Sequence, residues 1–229
     1  MTDDEILGAF WRTLLRDTKL TFWKRLQNAF EWAYDDSFQS VINDPRILED
    51  QRAAMLLDQR FYVAETALQR TASETGLIST GQKISINSWN YTLVRGGDVT
   101  MVQSYVQTPS DFARPAKFRE TLSAVNTFLN APQLDLGDVD PKIFTVAQLS
   151  GIVIHGPTGK KFDEDSQRLG FLNFAVADES YRAWGLNFPV LEIIARFEHG
   201  EMGIEAPQRD IAQPLIKRPG KKKGDQEET

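Results

Sequence analysis

Between Phe22 and Phe38 a large apolar side chain recurs every fourth residue: Phe22, Leu26, Phe30, Tyr34 and Phe38, with Trp23 widening the stripe. A spacing of four stacks side chains on one face of an α-helix, so the run predicts a helix from about Leu20 to Ile42. Its stripe is too apolar to face water, and another layer must cover it. After Gly81 that period is gone. "KISINSWNYTLV" and "VTMVQSYV" are rich in β-branched and aromatic residues, and the "RGGD" between them is suited to a short hairpin connection. Trp89, Tyr91 and Leu93 alternate with Ser88, Asn90 and Thr92, which predicts a strand with one buried face and places all three apolar residues in the core. A chain that passes from helical to strand periodicity in this way is read as α+β: an N-terminal helical layer, then a small, mainly antiparallel sheet with helices packed on it.

The other segments fit around these two. Thr2 and Glu5 form a potential capping box ahead of a first helix carrying Ile6, Leu7, Phe10, Trp11 and Leu14. "NDP" breaks the chain after Ile42; Asp44 as N-cap and Pro45 as first helical residue predict a third helix running to a stop at Gly76. "AKFRETLSAVNTFLN" reads as a helix, "APQLDLGDVDP" as a linker or surface loop, and "FTVAQLSGIVIHG" has an ambiguous period. "LGFLNFAVAD" reads as a buried strand, and "FPVLEIIARFE" as a helix with Pro189 near its start. The expected organisation is a helical segment 1–80, an α+β segment 81–206 that can equally form one continuous domain with the first, and a disordered charged tail 207–229.

The chain has 229 residues, 41% of them hydrophobic, enough for a substantial core. Zero cysteine excludes disulfides, thiolate nucleophiles and cysteine-bound zinc or iron–sulfur clusters. With His155 and His199 as its two histidines, the chain is also poorly supplied for imidazole-rich metal sites. No stretch reaches the roughly 20 apolar residues that span a bilayer, and "MTDDEILGAF" carries acids where a signal peptide carries bases, so a cytoplasmic protein with no membrane partner is expected. The tail from Lys217 holds five basic and three acidic residues, so the net charge of −6 divides into +2 there and −8 over the rest. Such an acidic body disfavours a non-specific wrap around nucleic acid.

The segment nearest to a known chemical motif is "GIVIHGPTGKK", residues 151–161. A phosphate-binding P-loop needs G-x-x-x-x-G-K-[ST], because backbone N–H groups wrap the phosphates, the lysine reaches them and the hydroxyl holds magnesium. Gly151 and Gly156 have the right separation, but Pro157 stands where the lysine belongs. The register ending at Gly159-Lys160 puts Ile154 at the first glycine and Lys161 at the hydroxyl. The segment therefore reads as a strand running into a turn, with His155 a surface or turn-packing residue.

Acids that could serve a metal-dependent hydrolase or nuclease are Asp178 and Glu179 at the end of an apolar strand and Glu192 beyond it. The [DE]-x-K triplet of such nucleases is missing from the strands, and acids at a strand-to-helix junction commonly cap helices. Glu198, His199 and Glu201 similarly read as a solvated helix end. On the basic side, Arg95 in the hairpin turn and Arg114, Lys117 and Arg119 in "FARPAKFRE" can hold a carboxylate or phosphate, or can simply form a solvated helix start. Lys221, Lys222 and Lys223 could bring nucleic acid to the tail.

These features favour a cytoplasmic, non-enzymatic binding or regulatory protein acting through a protein partner or through self-association, with Arg95, Arg114, Lys117 and the three tail lysines as contact residues. No metal and no cofactor is expected. The competing readings are a carboxylate and metal-dependent hydrolase or nuclease built on Asp178, Glu179 and Glu192, and a nucleic-acid-associated factor with a basic tail.

Overall fold

The computed structural model of the chain describes residues 3–84, 89–130, 146 and 148–199. Thr2 of the capping box, most of the 131–147 loop, Glu201 and the tail with Lys221, Lys222 and Lys223 lie outside the described residues. The architecture is α+β. Three N-terminal helices, α1 (Asp3–Asp17), α2 (Leu20–Ile42) and α3 (Arg52–Glu74), precede a sheet of six strands. These are β1 (Ile78–Lys83), β2 (Asn90–Gly96), β3 (Val99–Tyr105), β4 (Leu149–Pro157), β5 (Leu169–Ala177) and β6 (Trp184–Pro189). A short α4 (Lys117–Ser123) lies between β3 and β4, a single-turn α5 (Glu164–Gln167) between β4 and β5, and α6 (Val190–Glu198) follows β6.

Strand order in space follows chain order, and every neighbouring pair is antiparallel except β3 and β4. Two three-stranded meanders thus lie side by side, and the parallel join needs the crossover that carries α4. Both faces of the central strands are covered. Val94, Met101, Val153, Phe174 and Val176 pack with α1, α2, α3 and α6 in one core, while Val102, Ile152, Ile154, Ala175 and Ala177 point the other way, toward α4 and Tyr181. β4 is buried along its whole length, which is why its sequence shows no clean period: a strand covered on both faces has no polar alternation to display.

α2 begins and ends where its stripe predicts, with Phe22, Trp23, Leu26, Phe30, Tyr34 and Phe38 all buried. α3 starts later than the Asp44–Pro45 signal implies. The Asp44 carboxylate accepts from the Arg46 backbone N–H and guanidinium, closing a local turn before a 3₁₀ turn at Glu49–Gln51 leads into the helix. Its end is as expected: Gly76 has φ of 78°, Leu77 N–H donates to Ala72 O and Gly76 N–H to Ser73 O. The predicted strand over "KISINSWNYTLV" is instead a hairpin, with Lys83 closing β1 and Asn90 opening β2. The helix expected through Asn130 breaks after Ser123, because Asn126 is turned inward as a staple. Its side-chain amide donates to Ser150 O and Ala177 O and accepts from Ser150 N–H, each at 2.9 Å, tying β4 to β5.

The glycines of the sheet are required by close packing. A Cβ on Gly151 would lie 2.0 Å from the Phe174 ring. Gly151→Ala is expected to lower stability by about 1–3 kcal/mol through overpacking, read from the midpoint of a urea transition.

Candidate functional site

The β2–β3 ladder is short. Gly96 to Val94 pair with Val99 to Met101, yet β2 continues back to Asn90 and β3 on to Tyr105. Beyond Val94 and Met101 the hairpin peels away from the rest of the sheet, and the chain fills the gap with a side chain from α3. Thr92 and Gln103 would be opposed, one step beyond Leu93 and Val102, if pairing continued in register. Both instead donate to the Glu65 carboxylate, Thr92 through its backbone N–H at 2.5 Å and Gln103 through Nε2 at 2.7 Å. A carboxylate thus takes over a bond that a strand carbonyl would otherwise make.

This split opens into a cleft of about 670 Å³, a size that suits a small ligand or a few residues of a peptide. Glu65 and Gln103 line its floor. Its walls are aromatic: Phe61 packs against Trp89 at 4.9 Å between ring centroids, and Tyr91 stacks on Phe118 at 4.0 Å. Lys83, Arg114 and Lys117 line the cleft as exposed cations, and Arg119 lines it as a partly buried one. Four cations therefore meet one carboxylate in a protein whose net charge is −6.

Arg119 is the most constrained of these cations. Its Nη1 donates to Arg114 O at 2.8 Å, while its Nε is buried and has no hydrogen-bond partner among the described residues. Burial pulls its pKa down, and the Tyr181 phenol and the Glu65 carboxylate oppose that change. At Glu65 burial pushes the pKa up, against the donors Thr92 and Gln103 and the charge of Arg119. The floor of the cleft thus holds a carboxylate poor in water but supplied with donors.

Glu65 also ends a chain of buried hydrogen bonds crossing the sheet. His155 Nε2 lies 2.8 Å from Gln103 Oε1, and His155 Nδ1 lies 2.8 Å from the Tyr34 hydroxyl. Because Gln103 gives its amide hydrogens to the Glu65 carboxylate, its oxygen must accept, so His155 carries its proton on Nε2. Nδ1 is then an acceptor, and Tyr34 donates to it. Every bond points toward Glu65, an arrangement that supports its ionised form. His155 is fully buried, contrary to the surface or turn position its sequence neighbours indicate, and burial with the nearby Arg60 charge lowers its pKa to about 3. Arg60 is itself 1% exposed, lying over the Tyr34 ring at 4.1 Å and donating to the side chain and backbone oxygens of Gln167.

The structure gathers some of the residues singled out in the sequence and separates others. Arg114, Lys117 and Arg119 come together at the cleft. Arg95 is exposed at the far end of β2, four residues and roughly 13 Å along the strand from Tyr91. Asp178 accepts from the Ser180 hydroxyl and the Arg182 N–H in the turn after β5, where Glu179 is exposed. Glu192 pairs with Arg196 on α6. Since Ala177 pairs with Trp184 and Asn173 with Pro189, Asp178 and Glu192 lie toward opposite ends of β6. Glu198 bridges Lys24 on α2. Among the described residues no group of three or more His, Asp or Glu is placed to hold a metal ion.

Trp89 corrects an expectation. Tyr91 and Leu93 face the second core with α4, but Trp89 precedes the strand, is 38% exposed, and rests on Phe61 and Tyr62 of α3. Trp89→Ala is expected to cost under about 1.5 kcal/mol in a urea melt, far less than truncation of a buried tryptophan, and to change the cleft wall. The residues missed in the sequence are Glu65 and Gln103. Each had a local signal: an acid between Phe61 and Leu68 on the apolar face of α3, and an amide amid the apolar residues of β3.

Comparison with known proteins returns no family model, no curated protein and no solved structure that matches the chain. Among the described residues no helix is long and apolar enough to cross a membrane.

Proposed function

We propose that this chain is a cytoplasmic, non-enzymatic binding protein, and that the cleft at the β2–β3 split receives an acidic segment of a protein partner. The observation that carries this reading is the local charge: Lys83, Arg114, Lys117 and Arg119 line a cleft with aromatic walls on an otherwise acidic chain. Cations at a rim steer and orient an anionic partner, while the desolvated rings supply the apolar contact that holds it.

The test is fluorescence anisotropy of a labelled, end-blocked peptide with aspartates and glutamates around one aromatic residue. Binding should weaken as salt rises, since exposed charges are screened. The double variant Arg114→Glu/Lys117→Glu should bind at least about tenfold more weakly, each reversal replacing an attraction by a repulsion. Absence of binding by any such peptide, or equal binding by the double variant, would overturn the proposal.

A further inference from the structure

Accepting that the cleft binds an acidic segment, we infer that Glu65 reads the aromatic residue at its centre, selecting a ring that carries a hydrogen-bond donor, tyrosine or tryptophan, over phenylalanine. Cations alone would make any acidic chain an adequate ligand. The floor of the cleft is more demanding.

Glu65 Oε1 accepts from the Gln103 amide and Oε2 from the Thr92 backbone N–H, and the Thr92 hydroxyl also bears on this carboxylate. A carboxylate has about four acceptor positions, so these donors leave room for one from a ligand. The chain from Tyr34 through His155 and Gln103 delivers donors to this carboxylate and orients it, fixing Glu65 as an acceptor. Its neighbours on the cleft walls are two aromatic pairs, Phe61 with Trp89 and Tyr91 with Phe118, which line the space beside it. A phenol or indole entering between them brings an O–H or N–H to the carboxylate. A phenyl ring fills the same space, excludes water from those lone pairs, and returns no donor. The acids flanking the aromatic residue meet Arg114, Lys117 and Lys83 at the rim.

A site that hydrogen-bonds a hydroxyl discriminates against the analogue lacking it, because a buried polar group is left short of a partner. Glu65 keeps two donors in either complex, which limits the difference to about tenfold in Kd. The experiment compares three end-blocked peptides, Glu-Asp-Tyr-Asp-Glu and its Phe and Ala counterparts, on the full chain. Tyr should bind about tenfold tighter than Phe, and Phe tighter than Ala. In Glu65→Gln, whose amide can either donate or accept, the Tyr-to-Phe ratio should fall to near one while salt-sensitive binding persists. Equal wild-type affinity for Tyr and Phe peptides overturns this inference and leaves the acidic-segment reading standing; failure of all three to bind overturns that reading and this inference with it. The wild-type comparison needs no variant, so a poorly folded Glu65→Gln would not obscure the result.

Discussion

Acidification from pH 6.5 toward 3 should remove several kcal/mol of stability from this protein, and the residue responsible is His155. Its folded pKa is depressed from 6.5 to about 3 by burial and by the Arg60 charge. Above pH 6.5 the ring is neutral in both the folded and the unfolded chain, and no stability depends on it. Below 6.5 the unfolded chain takes up a proton that the folded one refuses, so stability falls by up to about 1.4 kcal/mol per pH unit until the folded pKa is reached. Glu65 acts in the opposite sense. Its folded pKa is raised above 4.5, so its contribution is present at low pH and lost as pH rises through the folded value. The lowered pKa values of Asp44, Asp163 and Glu198 take effect mainly below about pH 5.5, where their unfolded counterparts begin to protonate. Urea titrations between pH 7 and about 5.5 therefore isolate His155 and Glu65. The Glu65→Gln variant should show the steeper acid loss, approaching one proton's slope. A flat stability profile in that variant from pH 6.5 to about 5.5 would show that His155 is not held neutral by the fold.

Trp23→Ala should cost about 3–5 kcal/mol, the largest effect expected from a single core substitution. Trp23 is fully buried, meets Phe22 and Phe174 edge-on, and donates its indole N–H to the Thr18 hydroxyl at 2.8 Å. Thr18 in turn donates to Leu14 O. One side chain therefore joins the turn between α1 and α2 to the middle of β5. Its removal leaves a cavity at the helix–sheet boundary and withdraws a donor from Thr18. A chemical melt with a loss below about 1.5 kcal/mol would mean that the boundary relaxes far more freely than close-packed cores do. The contrast with Trp89→Ala is the informative comparison, because the two tryptophans carry the same side chain into different surroundings.

Residues with strong local signals were legible in the chain itself. The stripe of four-residue spacings determined α2, the apolar run before Asp178 determined β5, Pro189 marked the start of α6, and Gly76 marked the end of α3. These are properties of neighbours within a few positions, where periodicity and backbone preference act directly. The α+β class followed from them. Arg114 and Lys117 were visible as cations, though not as members of a site.

What only the tertiary structure decided is the partnership of residues distant in sequence. Glu65 meets Thr92 across 27 positions and Gln103 across 38, while Tyr34 meets His155 across 121. No local period encodes such pairings, since they arise when β2 leaves β3 and a carboxylate from α3 satisfies the backbone donor that the split leaves without a strand partner. Trp89 and His155 show the same limit in opposite directions: an aromatic residue of a strand-like run lies half exposed at a cleft, and a histidine beside a glycine-rich turn is fully buried. Burial is decided by which layers cover a segment, and that depends on the packing of the whole chain.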